Sequence, residues 1–271
     1  MAVPHSDRRV GRHPVAAFLL VTFLFSWGVW FGGDRVGVSP TAVVLVGAWG
    51  PTVGALVATW RLDGRAGVRR LLGRFAFRIP ARWYAVSVVL AFLLAAVAAL
   101  GVLALGGTVS PSLPADAPLV FLPVVFVVNV FVGGPIAEEL GWRGFAVPRL
   151  RGRYGVVGSG LLVGVVWAAW HAPFYLLPGS AVVVGGFPFV WFAVVVVAYS
   201  VLFSWLVTRA ADSVVPAVLF HAGTNTAAGS LGLVAVDDPV ALGLYALVLY
   251  AAVATVAVAD RRGRERRPAP A

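Results

Sequence analysis

The chain has no cysteine and no lysine, one methionine, and only eleven acidic residues among its 271. The absence of cysteine excludes disulfide bonds, thiolate metal sites and a cysteine nucleophile. Charged residues make up 12% of the chain, whereas hydrophobic residues make up 60%. This composition is typical of a polytopic membrane protein and not of a soluble domain. The lipid bilayer is therefore the expected surrounding of the fold.

Eight apolar stretches approach or exceed the roughly 20 residues that a helix needs to cross the hydrocarbon core. They are residues 14–33, 41–60, 83–107, 118–148, 155–177, 183–208, 214–234 and 239–259. No repeat or long linker separates them. The sequence predicts an all-α fold of about eight transmembrane helices in a single membrane domain, 1–271, with tails at 1–13 and 260–271.

Arginines concentrate at alternate ends of these predicted helices. Nineteen of the 21 lie in the two tails, in the stretch 61–82, and after the fourth and sixth apolar stretches. Short cytoplasmic loops carry the excess of positive charge in membrane proteins. We therefore expect a multi-pass protein of the cell membrane with both termini in the cytoplasm.

The formal net charge is +10. Because the arginines are spread over loops and tails, contact with anionic lipid headgroups is favoured over nucleic acid. Anionic lipids are thus expected partners, and nucleic acid is not. The basic stretch at 61–80 also carries apolar residues, so it is either an amphipathic element on the inner membrane surface or a solvated loop.

Two adjacent carboxylates, Glu138 and Glu139, lie inside the fourth apolar stretch, whereas the other nine acidic residues lie in tails or between stretches. Ionisable groups inside a membrane are costly and indicate function. Further polar side chains inside the predicted helices are Arg143, His171, His221 and Asn225. The four-residue spacing of Glu139 and Arg143 favours a buried ion pair.

Helix geometry suggests that three of these groups meet. A rise of 1.5 Å per residue places Glu138, His171 and His221 at similar depths in the cytoplasmic half of the membrane. One carboxylate and two imidazoles in a low-dielectric cavity can activate water, either directly or through a Zn²⁺ ion bound by the same three side chains. The residues leave both mechanisms open. Asn225 shares a helix face with His221 and could hydrogen-bond a developing oxyanion.

Three ordered motifs carry a family resemblance. Glu138-Glu139-x-x-x-Arg143, Trp167-x-x-x-His171 and His221-x-x-x-Asn225 resemble the motifs of the CPBP family of intramembrane proteases, which includes CAAX prenyl endopeptidases and bacterial ABI proteins. The resemblance covers residues 118–230, the expected catalytic core. The family's second motif usually begins with phenylalanine, where this chain has Trp167.

The resemblance implies an intramembrane metalloendopeptidase acting on a membrane-associated protein or peptide, prenylated or not. Glu138 would activate the attacking water, with His171 and His221 completing the catalytic centre. Asn225 would stabilise the oxyanion, while Glu139 and Arg143 would support the site. A divalent metal, Zn²⁺ first, would be held by Glu138, His171 and His221. The aromatic residues near His171 are candidates for the substrate pocket: Trp167, Trp170 and Phe174.

Two other functions fit parts of the pattern. A non-catalytic membrane scaffold or immunity-type protein could keep the family fold, but no motif residue is lost here. An ion- or proton-coupled carrier would need polar groups that trace a route to both faces. The polar residues occupy one layer instead, and Asn129 is the one obvious polar side chain in the outer half of the fourth stretch.

Overall fold

The computed structural model describes residues 13–33, 35, 37, 39–109, 111, 113, 117–132, 134–177, 188–233 and 238–265. Over these ranges the regular elements are helical, and none is a strand. The expected tail residues 1–12 and 266–271 lie outside the described residues. So do 183–187 and 234, which were assigned to the sixth and seventh predicted helices.

The chain forms a series of helices. These are α1 (Pro14–Gly33), α2 (Pro40–Gly47), α3 (Gly50–Leu72), α4 (Ala81–Ala104), α5 (Leu122–Val132), α6 (Pro135–Gly141), α7 (Val147–Trp170), α8 (Pro173–Leu176), α9 (Phe189–Arg209), α10 (Val215–Ser230) and α11 (Pro239–Glu265). A 3₁₀ turn, Leu119–Phe121, precedes α5, and a π-helical turn, Trp142–Ala146, joins α6 to α7.

Six helical segments are long and apolar enough to cross a membrane. They are Pro14–Gly33, Pro40–Leu72, Ala81–Ala104, Pro135–Leu176, Phe189–Arg209 and Pro239–Arg262. A shorter apolar segment spans Leu119–Val132, and α10 has only 16 residues. The predicted all-α, multi-pass membrane fold is confirmed.

The prediction of one helix over 118–148 is wrong in detail. Gly134 has φ of 99°, a conformation that favours glycine, and Pro135 follows at the start of α6. Proline is well placed in a first helical turn but cannot donate a backbone hydrogen bond to the preceding turn, so α5 and α6 are separate helices. The segment from α6 then runs through the π turn into α7, which kinks at Gly155. Hydropathy alone does not register such breaks.

Part of the basic stretch is amphipathic. After a kink at Gly64, α3 continues to Leu72 with Leu71 buried and Arg69 and Arg70 exposed. These residues therefore form an amphipathic helix and not a loop, and their position on the inner membrane surface stays a prediction.

Close backbone contacts position the helices around the centre. A Cβ atom on Gly160 of α7 would lie 2.6 Å from the Cα of Val201 on α9. One on Gly141 of α6 would lie 2.3 Å from the carbonyl oxygen of Pro51 on α3. Small residues allow membrane helices to approach at this distance, where dispersion contacts stabilise the pair. The helix α6, which carries Glu138, and the helix α7, which ends just before His171, are thus held against α3 and α9.

Candidate active site

Glu138 lies in the first turn of α6 and is buried, with 4% of its surface exposed. The indole Nε1 of Trp167 on α7 donates a hydrogen bond to its Oε2 at 2.6 Å. Any Cβ on residue 134 would lie 2.3 Å from its Oε1. Gly134 therefore serves twice, since it starts α6 and leaves room for the carboxylate.

Glu139 is fully buried and, unlike Glu138, does not line the cavity described below. Its Oε1 accepts hydrogen bonds from Arg143 Nη1 at 3.1 Å and from His221 Nδ1 at 2.9 Å. The guanidinium carbon of Arg143 also lies 4.5 Å from the ring centre of Trp167. The expected ion pair is present, and a buried charge requires such partners. The contact to His221 was not anticipated from the sequence.

The hydrogen bonds define the tautomers of both histidines. His171 Nδ1 lies 2.8 Å from the carbonyl oxygen of Trp167, which can only accept, so Nδ1 carries the proton. His221 Nδ1 faces the acceptor Oε1 of Glu139 in the same way. In each neutral ring the Nε2 lone pair is then free for a proton or a ligand.

The end of α7 fixes the position of His171. The helix stops at Trp170, and Pro173 begins α8, so His171 sits at the turn between the two. Its ring packs edge-on against Trp170, at 4.7 Å between ring centres, and against Phe192, at 4.9 Å.

A cavity of about 390 Å³ joins these groups. The residues proposed from the sequence that line it are Glu138, Trp167, Trp170, His171, Phe174, His221 and Asn225. Glu139 and Arg143 lie behind this wall and do not line it. The structure therefore brings the proposed catalytic set together around the cavity and places the proposed supporting pair behind it, with Glu139 in contact with His221.

Other walls of the cavity come from residues that the sequence did not single out for the site. Trp30 of α1, Val44 of α2 and Phe192 of α9 supply apolar surface. Tyr199 of α9 and Tyr245 of α11 also line it, and their hydroxyl groups are in hydrogen-bond contact. These residues are distant in sequence and carry no local motif, so only the packing of the helices reveals them.

The donor types of Glu138, His171 and His221 suit Zn²⁺, because both imidazoles present Nε2 and are oriented through Nδ1. The geometry is less complete. In the described part of the chain, no three histidine or acidic side chains lie close enough together to hold a metal ion. Glu138 instead has one oxygen bound by Trp167.

A buried cavity with one carboxylate and two imidazoles, inside a helical membrane protein, is the type of centre that an intramembrane hydrolase needs. Residues 120–227 match a family described as Type II CAAX prenyl endopeptidase Rce1-like. This match agrees with the CPBP resemblance of the motifs, all three of which lie within the matched residues.

A curated protein shows the same relationship. The chain is 28% identical over 105 residues to CAAX prenyl protease 2 of Methanococcus maripaludis. The matched segment is 37% of this chain and 38% of that protein. The chain therefore spans less than two fifths of the length of this relative.

Proposed function

We propose that this protein is an intramembrane endopeptidase that hydrolyses a peptide bond of a membrane-associated protein or peptide near the cytoplasmic side. The observation that carries the proposal is the arrangement of Glu138, His171 and His221 around one buried cavity. The family match supports the same reaction class.

In the proposed mechanism Glu138 is the general base. It removes a proton from a water molecule as that water attacks the scissile carbonyl carbon, and it then delivers the proton to the departing amine. The hydrogen bond from Trp167 keeps the carboxylate oriented towards the cavity. An Nε2 lone pair of His171 or His221 accepts the second hydrogen of the water and so fixes its direction of attack.

Asn225 is the proposed donor to the oxyanion. It lies on α10 one turn after His221 and lines the cavity. A positioned amide donor that meets the negative oxygen of the tetrahedral intermediate typically contributes about 10²–10³-fold to the rate. Glu139 and Arg143 are assigned support, because they hold His221 from behind the cavity wall.

As an alternative to this metal-free mechanism, we propose a divalent cofactor, Zn²⁺ first, with His171, His221 and Glu138 as its ligands. When bound there, the ion would acidify a coordinated water and polarise the scissile carbonyl. Metal content and the effect of 1,10-phenanthroline on activity test this point. Loss of cleavage that added Zn²⁺ restores would support the cofactor, and full activity of metal-free protein would contradict it.

The first substrate class to test is a prenylated CAAX-type peptide, because the matched relative is named a CAAX prenyl protease. The apolar cavity wall at Val44, Leu45 and Val195 is compatible with an apolar group. Peptides without the prenyl group form the comparison.

The experiment uses purified protein in liposomes and a panel of quenched fluorescent peptides, each with and without a prenyl group. We expect wild type to cleave and Glu138→Gln and His221→Ala to lose at least about 10²-fold in kcat. Asp63→Asn, which changes an exposed carboxylate paired with Arg70, is the control and should cleave like wild type. Equal cleavage by all variants would show that the site is wrong. A folded wild type that cleaves no peptide would favour the alternative of a non-catalytic membrane scaffold or immunity-type protein.

A further inference from the structure

Asn129 is the polar residue of an otherwise apolar helix, and its amide has a defined orientation. Its Nδ2 lies 3.0 Å from Thr226 Oγ1 on α10. The single hydroxyl proton of Thr226 is already donated to the carbonyl oxygen of Ala222 at 2.7 Å. Thr226 can therefore only accept from Asn129, which requires Nδ2 to face α10 and leaves Oδ1 as the other polar atom of the amide.

The same side chain belongs to the cavity wall. Asn129 lines the cavity together with Glu138 and Asn225, and Asn225 directly precedes Thr226 in the chain. Within the described part of the chain, Oδ1 of Asn129 accepts no hydrogen bond. A polar atom at membrane depth is costly unless it has a partner. Helix packing alone would be served by Nδ2, so Oδ1 is available for a further interaction.

We propose that Asn129 is a substrate-binding residue, whose Oδ1 accepts a backbone N–H of the bound peptide. An extended peptide presents free N–H groups, and in a largely buried cavity each one needs an acceptor. Thr226 sets the direction of the amide and is a positioning residue. This inference rests on the proposed endopeptidase function and assigns it a contact outside the three motifs.

The test compares Asn129→Leu with wild type on a prenylated quenched CAAX-type peptide. We expect KM to rise about tenfold, which corresponds to about 1.4 kcal/mol, while kcat changes less than twofold. Thr226→Val should raise KM by a smaller factor. Asn129 then keeps the acceptor atom Oδ1, but its amide is no longer oriented by the bond to Thr226. Val128→Leu, at a half-exposed neighbour on α5, is the control and should leave both constants unchanged.

Peptides N-methylated at one backbone position at a time identify the partner atom. At one position, methylation should raise the KM of wild type about tenfold. The same methylation should leave the KM of Asn129→Leu unchanged. Equal losses in both proteins at every position, or an unchanged KM in Asn129→Leu, would overturn the assignment.

A binding measurement separates this inference from the proposed function. In the non-cleaving Glu138→Gln background, the Kd of the same peptide, followed by fluorescence anisotropy, should also rise about tenfold when Asn129 is replaced by leucine. Cleavage by wild type with an unchanged Kd would remove the role of Asn129 and leave the protease intact. Binding that depends on Asn129, without cleavage by wild type, would support the role of Asn129 and contradict the proposed protease function.

Discussion

At the scale of single residues, Glu138, His171 and His221 each have a partner that leaves one reactive atom available. Trp167 binds Oε2 of Glu138, while the Nδ1 atoms of His171 and His221 are bound by a backbone carbonyl and by Glu139. Side chains fixed in this way lose little freedom when the substrate binds. The partners are therefore expected to affect turnover more than stability.

Replacing Trp167 by phenylalanine tests this view. The change keeps an aromatic ring but removes the N–H donor to Glu138, and we expect kcat to fall about tenfold, the effect of one hydrogen bond of about 1.4 kcal/mol. Trp170→Phe is the matched control, because Trp170 also lines the cavity but its Nε1 makes no hydrogen bond in the described structure. Equal effects of the two substitutions on kcat would contradict a specific role for the Trp167 donor.

The sequence indicated which polar side chains meet at the cavity better than it indicated their contacts. Glu138, His171 and His221 were recognisable because charged and polar side chains are rare in apolar helices. Glu139 and Arg143 were recognisable as a pair from their spacing on one helix. The contacts from Trp167 to Glu138 and from His221 to Glu139 join different helices. They depend on crossing angles and rotamers that no local pattern encodes.

At the scale of elements, the helix breaks were the least predictable feature. Residues 118–148 form one predominantly apolar stretch, yet the chain turns at Gly134 and starts a new helix at Pro135. Gly-Pro is a local signal for such a turn, but membrane helices tolerate both residues, so the signal is ambiguous. The break matters because it places Glu138 in the first turn of a short helix.

Gly134→Ala should therefore abolish activity. Alanine at φ of 99° is strained, and its Cβ would lie 2.3 Å from Glu138 Oε1. We expect more than a 10²-fold loss of cleavage and a lower Tm in detergent. Gly152→Ala on α7 is the control, because nothing lies within 4 Å of its Cβ and alanine favours a helix. Activity retained in Gly134→Ala would show that α6 can start without this conformation.

At the scale of the whole molecule, one ion cluster joins three distant parts of the chain. Asp212 lies in the loop between α9 and α10. Its Oδ2 lies 2.8 Å from Nη2 of Arg151 on α7 and 3.7 Å from Nη1 of Arg74 in the loop after α3. Ser213 in the same loop donates to the carbonyl oxygen of Ala76. The cluster thus ties the beginning of α10, and with it His221, to the other helices.

This cluster should make stability depend on pH. Partial burial raises the pKa of Asp212, but the hydrogen bond and charge of Arg151, followed by Arg74, outweigh it and hold the pKa below its ordinary value. A carboxyl group with a depressed folded-state pKa stabilises the fold above its unfolded pKa, about 3.9, and loses this contribution as pH falls through the folded value.

We therefore expect Asp212→Asn to lower Tm by roughly 2–4 °C at pH 7, the shift for about 1 kcal/mol at a partly exposed pair. Asparagine tolerates the φ of 63° at this position, so backbone strain is not the cause. The difference from wild type should persist down to about pH 5 and shrink below about pH 4. A difference that is constant down to pH 3 would show that the charge of Asp212 is not responsible.

The cavity wall divides along the chain in a way that bears on how such proteins diverge. The carboxylate and both imidazoles come from the segment that matches the family, whereas Trp30, Val44 and Tyr245 come from helices before and after it. Mutations in those outer helices can alter which molecules enter without disturbing the reacting groups. Two proteins that share all three motifs can thus evolve different substrate preferences. The sequence differences responsible are expected in the outer helices.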